Sequence, residues 1–273
     1  MNKIRKLSFV ILMLALIFII TNAAWASELT LVTNPSHINI GLSFNGADLQ
    51  ISGRAPQDSD IYIKLSSSSE TVVSLKKKEK VGPLWINSEN PDVKNMPRFF
   101  QIWSSAPLNR LTPELSKQIG IDPNFDAVKN GAKVVSRKNG QETVINGKSA
   151  LQFVNGLVNI YSKDNLYSIK EGKLLINGGK YSAEVKLPPT MPISNLVVKI
   201  YAVRNGILLG SAENDVKVET VGVINWFRVN AALNGPTYGA IAAIVALICG
   251  LLIGQFFHLV STLGARKRHH LEV

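Results

Sequence analysis

Residues 239–263 form an apolar run of helix length that is followed by Arg266, Lys267 and Arg268, and this commits one part of the chain to a lipid bilayer. A helix rises about 1.5 Å per residue and needs roughly 20 apolar residues to cross the hydrocarbon layer, so about 25 residues cross it once with length to spare. A chain holding such a segment cannot fold as one water-soluble globule. The rest must build its own core outside the membrane.

A second apolar run, of a different kind, stands at the opposite end. Lys3, Arg5 and Lys6 precede a core at 7–20 that is broken only by Ser8, and Ala24 and Ala26 follow it. Positive residues, a hydrophobic core and an Ala-x-Ala ending are the layout of a secretory signal, and about 14 apolar residues fall short of a span. Residues 1–26 are therefore predicted to be a signal peptide cleaved after Ala26. No cysteine follows the core, so lipid attachment of the lipoprotein kind is not expected. With the N-terminus exported, the span at 238–263 stops transfer and leaves the tail, 264–273, in the cytoplasm. The basic triplet agrees, because Lys and Arg beside a span favour that side, while the outer flank holds only Arg228. The expected address is a bacterial inner membrane, with a single pass and a periplasmic N-terminal domain.

Charge and cysteine content narrow the chemistry of the exported part, which is roughly 210 residues on this reading. The chain is +11 overall; the signal accounts for +3 and the tail for +2, which leaves +6 outside the membrane. Such a mild basic excess suits anionic headgroups or acidic partners, and the compartment argues against nucleic acid. The single cysteine, Cys249, lies within the span, so no intrachain disulfide exists and the exported part depends on its core alone.

From 27 to 105 the chain reads as short strands between turn residues. Over 37–44, Ile38, Ile40, Leu42 and Phe44 alternate with His37, Asn39 and Ser43, the pattern of a half-buried strand. Further strands are predicted at 47–53, 60–65, 71–75, 82–87 and 98–104. Residues 106–170 change character and read as a helical connection. Thr112 is an N-cap with Pro113 at the first helical position and Gly120 as the stop; Ser149 is expected to cap a second helix in which Leu151, Val154, Leu157, Val158 and Tyr161 repeat at helical spacing. Between them, 131–147 is polar and turn-rich. Strands return over 171–221, at 173–176, 181–187, 195–203, 207–211 and 215–219, with Arg204, Asn205 and Gly206 as a hairpin turn. The expected fold is mainly β: one or two Ig-like antiparallel β-sandwiches with a short helical insertion, a juxtamembrane segment at 222–237 and one C-terminal transmembrane helix. Trp226 and Phe227 suit an amphipathic lead-in lying on the membrane surface.

The order of several motifs resembles the transmembrane protein family first described from alphaproteobacteria. These are Lys78 and Lys80, Gly82-x-x-Trp85-Ile86-Asn87, Pro97-x-Phe99-Phe100 and Ser104-x-x-Pro107-Leu108, then Asn165-Leu166-Tyr167, Leu187-Pro188-Pro189-x-x-Pro192, Asn205-Gly206 and Tyr238-Gly239. Ser194-Asn195-Leu196 departs from a Gly-x-Tyr turn in that pattern. The resemblance covers nearly the whole mature chain; it implies the layout of signal, exported domain and single span, and no particular biochemical activity.

Candidate sites are few. Trp85, Phe99, Phe100 and Trp103 are the densest aromatic group, either a partner surface or, the better account for most of them, core. Strand periodicity puts Phe99 and Trp103 on one face, Phe100 on the other, and Trp85 with Asn87. Lys76, Lys77, Lys78 and Lys80, with Arg98 if the fold brings it near, are a candidate anion or partner surface, against the simpler reading of a solvated strand end. His37 is the only histidine outside the span and tail, so ordinary zinc sites and Cys-His catalysis are excluded there. Asp58 with Asp60, and Asp122 with Asp126, sit in turn sequence where Asp bonds its own backbone. No cofactor and no catalysis are expected.

The span itself is patterned. Ala242, Ala246, Gly250 and Gly254 recur every four residues, Gly250 and Gly254 match GxxxG, and Gln255 and His258 follow about one turn apart. This face suits close packing against a membrane-protein partner or a second copy; the simpler reading is that small residues are common in spans. The function expected is that of a non-enzymatic periplasmic accessory or interaction protein serving an inner-membrane assembly such as a transporter. A stand-alone binding module for a small anion or envelope polymer is the alternative, and a membrane-tethered hydrolase the third.

Overall fold

A computed structural model describes residues 29–67, 72–138, 141–233 and 235–269; the signal predicted at 1–26 lies outside them. The described chain divides into two compact units, one of Asn45–Val218 with the described residues up to Ile38, the other of Asn39–Phe44 with the described residues from Glu219. The chain is mostly β, in several sheets, with one long apolar C-terminal helix.

In the first unit, β1 (Val32–Asn34), β3 (Ala47–Arg54), β13 (Leu175–Asn177) and β14 (Lys180–Leu187) make a four-stranded antiparallel sheet in the order β1-β3-β14-β13. A six-stranded sheet runs β12-β9-β4-β15-β16-β2, from β2 (His37–Ile40), β4 (Asp60–Ser67), β9 (Phe100–Ser104), β12 (Tyr167–Lys170), β15 (Leu196–Arg204) and β16 (Ile207–Thr220). Its pairings are antiparallel at β4 with β9 and β15, and at β15 with β16; β12 against β9 is parallel, which corrects the expectation of a wholly antiparallel fold. Alternation sets the core. Leu49, Ile51, Val185 and Leu187 are buried on one sheet, and register places Ile63, Leu65, Val198 and Ile200 together on one face of the other. Asn214 on that same face donates to Thr33 on the inner face of the first sheet, 2.9 Å away, so these two faces meet. Each buried aliphatic side chain contributes about 1.5–3 kcal/mol.

The opposite face of the six-stranded sheet carries the helices. In α1 (Pro113–Ile119), Thr112 Oγ1 accepts from the Leu115 amide and Gly120 closes the helix in the left-handed region at φ 64°, as the sequence predicts. Lys64 Nζ donates to the Ile119 carbonyl, one of the acceptors that a helix end leaves open. After α2 (Asp126–Gly131) comes α3 (Gly147–Lys163), whose Val154, Leu157, Val158 and Tyr161 are buried. Two details differ from expectation: Ser149 lies inside α3, whose N-cap is Asn146, and Leu151 is exposed. Phe100, Phe125, Tyr161 and Tyr167 form a chain of ring contacts that knits α2 and α3 to β9 and β12, and Tyr167 donates to the Pro97 carbonyl at 2.6 Å.

The polar stretch read as turns holds a hairpin, β10 (Lys133–Lys138) and β11 (Gln141–Ile145). With β5 (Val73–Ser74) and β8 (Pro91–Lys94) it makes a third sheet, β11-β10-β8-β5. Strands predicted at 207–211 and 215–219 are one continuous strand, β16, and the strand predicted over 37–44 stops at Ile40. Phe44 N there turns back to Gly41 O at 3.1 Å, which leaves Leu42 exposed rather than in the core.

In the second unit, α4 (Gly222–Leu233) precedes α5 (Gly235–His269). Phe227 packs edge-on against both Trp226 and Tyr238, at 5.1 and 6.1 Å between ring centres, so the juxtamembrane aromatics form a cluster of their own.

Candidate functional site

Three surfaces offer themselves, and the terminal helix is the longest. Gly235–Leu259 within α5 is the one stretch among the described residues long and apolar enough to cross a membrane, and none of it is buried against the rest of the chain. Its start lies three residues before the predicted one. Ala242, Ala246, Gly250 and Gly254 follow one another at four-residue steps, and a Cβ built on Gly250 or Gly254 meets nothing within 4 Å. Gln255 and His258 are exposed at the C-terminal end of the same segment. At 100° per residue each four-residue step advances the stripe by about 40°, giving a slightly inclined groove lined by nothing larger than a methyl group between larger Leu, Ile and Phe residues.

The second surface is a two-stranded ribbon, β6 (Lys77–Val81) and β7 (Leu84–Glu89), that extends the β5–β8 pair beyond the third sheet. Gly82, at φ 61°, and Pro83 form its two-residue turn; glycine with positive φ at the first turn position is what a type II′ hairpin requires. Lys80 stands opposite Trp85 and Lys78 opposite Asn87, while Val81 opposite Leu84 and Glu79 opposite Ile86 occupy the other face. Both faces are open: residues 78–87 are all exposed, with Leu84 and Trp85 at 66 %. Lys76 is exposed beside them, and Lys77 pairs with Glu79 at 3.3 Å. Of the aromatic group, Phe99 and Phe100 are buried and Trp103 is half-buried, so core holds for those, whereas Trp85 projects into solvent. Arg98 is not on this ribbon; it lies beside the Tyr161 phenol, whose pKa burial raises and Arg98 pulls back.

Two adjoining clefts meet at β14, the larger of the two crossing it toward β3 and β1. The first residues of β14 pair with β13, but Ala183–Leu187 has β3 on one side and no strand on the other among the described residues. A cleft of about 530 Å³ lies between this open edge, Pro188, Pro189 and the β9–β12 edge, and one of about 750 Å³ continues toward Asn34 and Lys173; both touch Trp103 and Glu184. Trp103 Nε1 donates to Gln101 Oε1 at 3.2 Å, and Gln101 Nε2 donates to the Asn165 carbonyl at 2.9 Å. In the smaller cleft, Ser168 Oγ is out of contact with water and has no hydrogen-bond partner among the described residues. Sequence reasoning missed this edge, because it is created by the shortness of β13 and by pairings distant along the chain.

Asp122 behaves as the turn element expected, whereas Asp60 opens β4 and pairs with a side chain instead. Asp122 accepts from the amides of Asn124, Asp126 and Ala127 at 2.7–3.1 Å, capping α2, and Asp60 pairs with Arg110 at 3.4 Å. His37 is exposed and bonds its neighbour Ser36. Among the described residues no three His, Cys, Asp or Glu side chains gather as a metal site would need.

Comparison with protein families gives one match, over residues 28–258, to the family described as "Putative transmembrane protein (Alph_Pro_TM)". No curated protein and no solved structure matches the chain.

Proposed function

The chain belongs to that transmembrane protein family, and from this premise we propose that it is a membrane-anchored, non-enzymatic interaction protein whose β-rich part works outside the bilayer as an accessory to a membrane assembly, such as a transporter. The observation behind this reading is the span with no residue buried within its own chain, lined along one side by Ala242, Ala246, Gly250 and Gly254. A helix needs only lipid to stay in a membrane; a groove of small residues along it favours close contact with another helix. The apolar core of the N-terminal run and the basic residues after the span support cleavage after Ala26, a periplasmic N-terminal part and an inner-membrane address. The two facing sheets support an Ig-like sandwich, with the parallel β12 as an addition.

The test is cross-linking in intact cells followed by purification in mild detergent. A defined partner or a second copy should co-purify, and Gly250→Leu with Gly254→Leu should release it. Recovery of the monomer alone, with those changes silent, removes the reading. A second reading, a binding module for a small anion or an envelope polymer, is favoured by the clefts beside Trp103. It is distinguished by ligand binding that survives the two glycine changes.

A further inference from the structure

We propose that the tip of the β6–β7 ribbon docks on an anionic phospholipid surface. A lone two-stranded hairpin is at best marginally stable in water, and this one leaves Val81, Leu84, Trp85 and Ile86 exposed at its end. Apolar side chains grouped this way mark a contact surface rather than a solvent face. The occupant follows from where the charges stand. Lys76, Lys78 and Lys80 lie behind the apolar tip, and the only described acidic side chain of the ribbon, Glu79, is paired with Lys77.

Strand residues are about 3.4 Å apart, so Lys78 and Lys80 trail the turn by roughly 5–12 Å. A tip that enters the headgroup and acyl boundary by about 5–10 Å, the usual depth of interfacial segments, brings those ammonium groups level with lipid phosphates. Trp85, opposite Lys80, takes the position that tryptophan prefers, with its ring at the headgroup level. Pro83 removes one backbone N–H from the turn, which lowers the cost of taking the tip out of water. A protein partner fits less well, because lysine is depleted from protein interfaces, whereas a lysine collar behind an apolar tip matches an anionic bilayer. The same chain supplies a span, so a bilayer is always part of its surroundings.

The experiment uses the full chain with Cys249→Ser and Leu84→Cys, the new thiol carrying an environment-sensitive fluorophore, in nanodiscs of phosphatidylcholine alone or mixed with phosphatidylglycerol. In the anionic discs the probe should shift to the blue and be quenched by nitroxide-labelled lipids, and salt should reverse both effects. Lys78→Glu with Lys80→Glu should lower the ratio of docked to undocked ribbon about tenfold or more, with an unchanged circular dichroism spectrum. Trp85→Ala, which removes no charge, should also weaken quenching. A probe that stays water-exposed in anionic discs, that is quenched equally in neutral discs and with both lysines reversed, or that is shielded only when another protein is added, overturns the proposal.

Discussion

Asn214 Nδ2 donates to Thr33 Oγ1 at 2.9 Å across two sheets whose facing sides are otherwise mainly aliphatic. Thr33 is buried, so its hydroxyl depends on that donor. Asn214→Ala should cost about 1–3 kcal/mol, the penalty of leaving a buried polar group unpaired. Thr33→Val combined with Asn214→Ala should recover part of the loss, because the Thr33 hydroxyl that Asn214→Ala leaves unpaired is then gone as well. Urea unfolding of the four members of this cycle checks it; additive losses would show that the bond is not what couples them.

Two aromatic residues from one sequence cluster should behave oppositely. Phe99 is fully buried and Trp85 is two-thirds exposed. Phe99→Ala should destabilise by about 3–5 kcal/mol, whereas Trp85→Ala should stay within about 0.5 kcal/mol in detergent solution. Thermal melts of the two variants decide the matter, and an equal loss would mean that Trp85 is packed after all.

Gly53 is required by a close approach of the chain. A Cβ there would lie 1.9 Å from the Thr30 carbonyl oxygen and 2.6 Å from the Tyr181 hydroxyl, which itself donates to that oxygen. Gly53→Ala must therefore push the entry to β1 away from the sheet, at about 1–3 kcal/mol. Faster hydrogen exchange at Thr30 and Arg54, whose amides bond Arg54 O and Thr30 Oγ1, is the local readout.

Alkaline solution should weaken the fold through its tyrosines. Burial, assisted by Asp60, pushes the Tyr62 phenol from 10.0 up to about 12, and burial raises Tyr167 and Tyr181 further still. The folded state holds these protons where the unfolded chain releases them. Their contribution is complete below pH 10.0 and is lost as pH rises above it, for Tyr62 through about 12. Melting temperature should fall over that window, less steeply in Tyr62→Phe. That change should cost little at neutral pH, because the Tyr62 hydroxyl is buried with no hydrogen-bond partner among the described residues. An identical slope in both proteins would rule Tyr62 out as a contributor.

What could be read from the sequence was what local physics decides. Thr112, Pro113 and Gly120 spell out both ends of α1, and an apolar stripe revealed the body of α3, though not its start at Gly147. The β10–β11 hairpin escaped because β11 is almost wholly exposed and carries no alternation, so its strand character comes from pairing with β10 and, through it, with β8. β16 was broken in two at its polar middle, where Glu213 reaches out to Lys199 and Asn214 reaches in to Thr33. The lysines of the ribbon are visible as a charge run; that Trp85 shares their exposure follows from the fact that no layer covers β7 among the described residues, which no local pattern encodes.

α5 has 35 residues and is therefore about 52 Å long, while the hydrocarbon layer takes up only about 30 Å. The anchor is thus a rod held by a collar narrower than itself. Moving it along its axis by one turn, about 5.4 Å, keeps the collar filled and brings Ala246 close to where Ala242 stood and Gly254 close to where Gly250 stood. A helix packed against that side would meet a similar run of small residues after one such step, with His258 moving to where Gly254 stood. On the proposed reading, a helix packed there would find detents along the stripe rather than a single lock.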